Sequence, residues 1–215
     1  MSEKERILRL TSYKSLLTRF KAMGFIRVFS DNIAEALDIS SSLVRKDFSL
    51  FGITGIQKGG YHIDGIIEKI DRIIGLKEPQ RIIIIGTGRI GQALMHFKQF
   101  QEDSIFIVAG FDIDSKKIDE KSSVPVYHMD LLEEFVSGND IRLAVLAVPA
   151  LVAVETFENL KRAGIKGVLN FTPVILKGND AVHVRNINIE HELTNLVYFI
   201  NNTEKPNKYT ISNKK

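Results

Sequence analysis

Residues 81–94, RIIIIGTGRIGQAL, leave few folds open. An unbroken isoleucine run is apolar on both of its faces, which suits a strand of a parallel sheet covered on both sides. Three glycines follow at the spacing Gly86-x-Gly88-x-x-Gly91, and a helix is predicted beyond them. In a strand–turn–helix of this kind the first glycine makes the tight turn. The second lets backbone approach a pyrophosphate, and the third lets the helix pack closely on the strand. The phosphate would sit on the helix N-terminus. Gly86, Thr87, Gly88, Arg89, Ile90 and Gly91 are therefore taken together as a dinucleotide-binding turn, with Arg89 able to lean toward the phosphates.

The segments downstream extend an α/β pattern. FIVAGFD predicts a second buried strand ending at Asp112, 21 residues after Gly91. An acid at that place takes the ribose hydroxyls and repels a 2′-phosphate, which favours NAD(H) over NADP(H). Asp114 is read as a cap for the helix that follows. RLAVLAVPA and GVLNFTP predict two more strands, whose carboxyl ends form the ligand-binding edge of an open α/β sheet.

The eighty residues ahead of the glycine turn have a different texture. Gly75 and Pro79 mark a break, and residues 1–78 hold 13 Lys+Arg against 10 Asp+Glu while residues 79–215 hold 16 of each. The positive excess thus sits in the N-terminal part, as suits a module facing phosphate. Ser2 and Glu5 have capping-box spacing, and Ile7, Leu10, Leu17, Phe20 and Met23 carry a helix up to Gly24. A second helix is predicted from an N-cap at Ser30, and a third from an N-cap at Ser40. Two short helices with a tight turn outline a helix-turn-helix. On the third, Val44, Phe48 and Phe51 share one face. Ser42, Arg45, Lys46 and Ser49 share another, which is either plain solvated surface or a face for phosphates and base edges. GITGIQKGGY reads as a glycine-rich hairpin, and a hairpin in this place is a wing.

VRKDFSLFG, a glycine-rich hairpin ending in Tyr61, and then a nucleotide fold resemble the Rex family of redox-sensing transcriptional repressors. The likeness runs over about residues 5–201 through GTGRIGQAL, GFDID, VPVY, LAVPA, GVLNFTPV and VRNINIEHEL. It implies an α/β protein with an N-terminal winged helix-turn-helix over 1–78 and a Rossmann-type NAD(H)-binding domain over 79–187. A domain-swapped dimerisation helix over 188–202 and a disordered tail over 203–215 complete the plan. The resemblance places Val148, Pro149 and Asn170 beside the nicotinamide, although ordinary packing at strand ends explains each equally well. It assigns DNA contacts to Ser42, Arg45, Lys46, Ser49, Gln57 and Lys58. The partners it implies are a near-palindromic double-stranded operator and a second copy of the chain.

Other classes fit less well. A nicotinamide-dependent oxidoreductase needs a substrate domain and a positioned acid or base, and beyond Val184 only one apolar helix and a polar tail remain. His128, His183 and His191 show no carboxylate partner or metal-ligand spacing in sequence. The chain has no cysteine, no apolar run approaching a bilayer span and no signal-peptide pattern at its start, so a cytoplasmic protein is expected. Three positions depart from the pattern that the resemblance implies. Where family members carry an Arg on the first helix, an Asp at the start of the swapped helix and a Tyr near the cofactor, this chain has Ser15, Asn188 and Phe97. The wing's usual Arg is Gln57, with Lys58 next to it. These replacements leave open a paralogue that binds NAD(H) yet responds to it weakly or not at all.

Overall fold

Helix α1 (Glu3–Ala22) opens the chain, followed by β1 (Arg27–Val28), α2 (Ser30–Leu37), α3 (Ser41–Leu50), β2 (Tyr61–His62) and α4 (Ile63–Ile74). The computed structural model describes residues 3–56, 59–97, 100 and 104–204. Ser2, Gln57, Lys58 and the tail from 205 lie outside the described residues, and with them the Ser2 capping box and two wing contacts. The chain divides into two units, Met1–Pro79 and Gln80–Lys215.

In the first unit, Leu10, Tyr13 and Leu17 of α1 pack with Ile33, Val44 and Phe48 and with Ile63, Ile66 and Ile70 of α4. Their spacing of three and four residues is that of one buried helix stripe. Asp38 ends α2 in the left-handed region at φ 51°, and the Ser40 hydroxyl accepts from the Leu43 N–H at 3.2 Å to start α3. One expectation needs correction. Ser30 is the first residue of α2 rather than its cap, because Asn32 Oδ1 accepts the Phe29 N–H and fixes the turn one residue earlier. The hairpin is one bridge wide, Ile56 against Gly60, and Tyr61–His62 then pairs with Arg27–Val28. Gly60 makes that path at φ +67°, where a Cβ would stand 2.6 Å from the Val28 carbonyl oxygen.

The second unit is a six-stranded parallel sheet in the order β5-β4-β3-β6-β7-β8. Its strands are β3 (Gln80–Ile85), β4 (Ile105–Asp112), β5 (Val126–His128), β6 (Leu143–Leu146), β7 (Gly167–Asn170) and β8 (His183–Asn186). Helices α5 (Arg89–Met95), α6 (Leu132–Asn139) and α7 (Ala150–Arg162) connect them, and α8 (Ile189–Glu204) follows. Ile83, Ile84 and Ile85 are buried, as a strand covered on both faces requires. The strand order reverses between β3 and β6, so a crevice opens at their carboxyl ends. Along α8, every residue from Ile189 to Asn201 is exposed, including Leu193, Leu196, Val197 and Ile200.

Candidate nucleotide site and DNA-facing helix

The glycine turn sits on that crevice. Gly86 has φ +90°, and a Cβ there would lie 2.5 Å from the Ala147 carbonyl oxygen. A Cβ on Gly91 would collide with the Gly86 carbonyl, so α5 approaches β3 only because residue 91 is glycine. A Cβ on Gly88 would meet nothing within 4 Å, so the backbone there borders open space. That space belongs to a cavity of about 950 Å³ whose wall includes Gly86, Gly88, Arg89 and Ile90 from the turn and Asp112 from the end of β4. Val148 and Pro149, between β6 and α7, also line it.

Thr87, Gly91 and Asn170 stand outside the cavity wall. Thr87 is buried and donates its N–H (2.9 Å) and hydroxyl (3.0 Å) to Asp112 Oδ2. Asn170 is fully buried and ties the end of β7 to its surroundings. Its Nδ2 donates to the Val174 carbonyl at 2.7 Å and Asn186 Oδ1 at 2.8 Å, and its Oδ1 accepts the Thr172 N–H at 3.0 Å. Sequence reasoning passed over Lys117, Met129 and Asp130, and the α7 residues Val152, Glu155, Thr156 and Asn159. The last four recur at intervals of three, one and three, a helix face that the length of α7 would have revealed.

Asp112 lines the cavity and also gathers hydrogen bonds from its neighbours. Besides Thr87, its Oδ2 accepts Lys117 Nζ at 2.9 Å, and its Oδ1 accepts the Asp114 N–H at 3.0 Å. Burial alone pushes this carboxyl upward, but donation from Asp114, Lys117 and Thr87 outweighs it and holds the group at about 2. Its folded value is thus depressed below the unfolded one near 3.8, so its stabilisation is present above about pH 4 and is lost as pH falls toward 2. Asp112→Asn is expected to cost about 2 kcal/mol at pH 7 by the linkage of one shifted carboxylate. Urea unfolding of both proteins checks this, the gap between them already narrowing at acid pH; a gap independent of pH would remove the role. Asp114 caps the following 3-10 turn, its Oδ1 accepting the Lys116 N–H at 3.0 Å. His128 does have a carboxylate neighbour, Asp130 Oδ2 at 3.0 Å, because a turn at the end of β5 folds position i+2 back onto it.

On α3, Ser42, Arg45, Lys46 and Ser49 are exposed while Val44, Asp47 and Phe48 are buried. Arg45 Nη1 donates to Ser30 Oγ at 3.0 Å, which steadies its stem at the start of α2. The buried Asp47 takes a two-pronged bond from Arg9, Nε to Oδ2 at 2.7 Å and Nη2 to Oδ1 at 2.8 Å, and a third from the Tyr13 hydroxyl at 2.8 Å. This clamp fixes how α3 is rotated about its own axis, and hence which side chains it presents. Burial raises the Asp47 carboxyl, but Arg9 and Tyr13 bring it below its ordinary value. Of the three departures, Ser15 is exposed, and Asn188 Oδ1 accepts the His191 N–H at 3.0 Å as the cap of α8. Phe97 is 52 % exposed and meets Phe100 edge-on with ring centroids 5.0 Å apart.

No helix among the described residues is long and apolar enough to cross a membrane. Residues 4–49 match a family model described as a putative DNA-binding protein N-terminus, and residues 77–174 match one described as a CoA binding domain. A redox-sensing transcriptional repressor Rex of Listeria welshimeri is 34% identical over 195 residues, covering 90% of this chain and 91% of the relative. A Rex repressor of Bacillus licheniformis is 35% identical over 193 residues, covering 89% and 90%. Among solved structures, a Rex-family repressor called RSP in complex with β-NAD+ and operator DNA superposes with TM-score 0.86. It is 29% identical to this chain, with 95% of this chain and 94% of that one covered. Its complex with β-NADH gives 0.83 at 30% identity, with 95% and 96% covered. These relatives are named as repressors rather than enzymes. The chain belongs to the Rex family of redox-sensing transcriptional repressors.

Proposed function

We propose that this chain is a dimeric, cytoplasmic repressor that reads a near-palindromic operator with α3 and binds NAD(H) in the crevice beside Gly88. The observation that carries the reading is one chain with two fitted surfaces. One is an exposed basic helix face held in place by a buried clamp. The other is a cavity where a glycine leaves room for a pyrophosphate and an acid keeps lone-pair capacity for ribose hydroxyls. Arg89 lies at the phosphate end, and Val148 and Pro149 hold the far side. The bound nucleotide supplies a ring whose charge differs between its oxidised and reduced forms, a signal rather than a reagent. Dimerisation is assigned to α8, whose apolar residues are exposed in the single chain.

The three departures favour a smaller NADH effect than in members that retain the Arg, Asp and Tyr. An ion pair made in only one state biases an equilibrium strongly, because losing it strands a charge. Asn188 is neutral and already occupied as a helix cap, and Phe97 has no hydroxyl. Operator DNA selected from a random duplex pool, titrated with NADH and NAD+ separately, tests this. NADH is expected to weaken operator binding more than NAD+ does, and Ser15→Arg, Asn188→Asp and Phe97→Tyr together are expected to widen the difference. A full release by low NADH in the unaltered protein, unchanged by the triple substitution, would place the switch elsewhere.

A further inference from the structure

A groove of about 500 Å³ lies between α1 and α3, lined by Arg6, Lys46, Asp47, Ser49 and Leu50. Arg6 precedes Arg9 by three residues and Tyr13 by seven, so all three occupy one stripe of α1. Arg9 and Tyr13 hold Asp47, which pins the stripe against α3 and brings Arg6 beside the turn bearing Lys46 and Ser49. The proximity of Arg6 to Asp47 also contributes to lowering that carboxyl. Asp47 is the acid in the groove wall, and it takes the two-pronged bond from Arg9. Arg6, Lys46 and the Ser49 hydroxyl line the same groove, which lies at the exposed Lys46 and Ser49 of α3. A guanidinium, an ammonium and a hydroxyl along one groove are the kinds of donor that contact a backbone phosphate.

We propose that this groove holds one backbone phosphate of the bound DNA and that Arg6 is a further DNA-contacting residue. The proposal deepens the reading of α3 as the DNA-facing helix and rests on it. A phosphate contact carries no sequence information, so Arg6 adds affinity equally on every duplex. Arg6 also brings the first turns of α1 into the interface, beyond the helix-turn-helix and wing.

The test is Arg6→Gln, which keeps a polar stem against α3 and removes the charge. Operator and random duplex of equal length are titrated by fluorescence anisotropy across a series of salt concentrations. The variant is expected to bind both duplexes about tenfold more weakly and to lower the slope of log K against log salt by about 0.9, one phosphate's worth of released counterions. Arg6→Lys is expected to recover most of the slope. An unchanged slope, or a loss confined to the operator, overturns the phosphate contact. The double variant Arg45→Ala, Lys46→Ala separates the two levels of the argument. If it binds operator normally, the reading of α3 falls; if it loses binding while Arg6→Gln does not, the groove proposal alone falls. A thermal unfolding midpoint for Arg6→Gln equal to the parent's keeps the comparison one of binding.

Discussion

Replacing Leu193 and Val197 together by glutamate is expected to turn the proposed dimer into a monomer and to weaken operator binding by about a hundredfold or more, the scale set by losing a tethered second half-site. The two residues stand four apart on α8, 59% and 56% exposed, on a helix that also shows Ile189, Leu196 and Ile200 to solvent. Single exposed apolar residues are ordinary on a protein surface, but a contiguous stripe of this length marks an interface. Two carboxylates placed in the stripe must be desolvated for the helices or domains of two copies to meet, at a cost of several kcal/mol each. DNA binding is expected to fall as a consequence, since in the proposed reading a symmetric operator is held by two α3 helices whose joint engagement depends on the link between the subunits. Sedimentation analysis reads the first effect and anisotropy the second. A doubly substituted protein that still sediments as a dimer would show that another surface joins the copies.

The second large effect concerns Asp47. Asp47→Ala is expected to destabilise the N-terminal unit by about 3–5 kcal/mol, as for removal of one partner from a buried ion pair. The Arg9 guanidinium and the Tyr13 hydroxyl both lose their acceptor at a carboxylate that is 1% exposed. Burial, and then the bond to Asp47, push the Tyr13 hydroxyl well above its usual value, so it stays a donor throughout the physiological range. For Asp47 the sign is that of a depressed carboxylate. Its contribution is complete above about pH 4 and is lost as pH falls through its lower folded value. Urea unfolding followed by far-ultraviolet circular dichroism measures the effect, and Asp47→Asn, which keeps one acceptor oxygen, is expected to lie between. A loss under about 1 kcal/mol, the ordinary surface scale, would show the clamp to be incidental.

Asp47 also illustrates what the sequence hides. In VRKDFSLF, adjacent charges invite one common reading as solvated surface, and the Arg and Lys are exposed while the Asp is not. Its partners lie 34 and 38 residues away, beyond the reach of any local pattern. The sheet was legible for the opposite reason. Runs such as IIII satisfy only one environment, and the spacing of the three glycines marks a turn in which Gly86 and Gly91 leave no room for a Cβ while Gly88 borders open space. The strand β1 was not legible, since two residues carry no periodicity and gain their identity only from Tyr61–His62, which lies beyond α2 and α3 in the chain. Asn170 looked like a ligand-facing residue because of its place at a strand end, and the structure engages its side-chain amide in holding β7 and β8 in register. In the cavity, the turn and Asp112 followed from spacing, whereas Lys117 and the α7 face depend on how two loops converge.

The cavity wall draws on both halves of the sheet, with Gly86, Asp112 and Met129 from the side of β3, β4 and β5, and Val148, Val152 and Thr156 from the side of β6. Anything filling it would be held by residues that a separation at the β3–β6 seam would pull apart, so a nucleotide bound as proposed would work as a rivet as well as a message. By mass action a nucleotide at a hundred times its dissociation constant adds about 2.7 kcal/mol to the folded state. Survival of the protein against heat and proteolysis is then expected to track the size of the nucleotide pool, a gauge of supply that would run alongside the oxidised-to-reduced ratio.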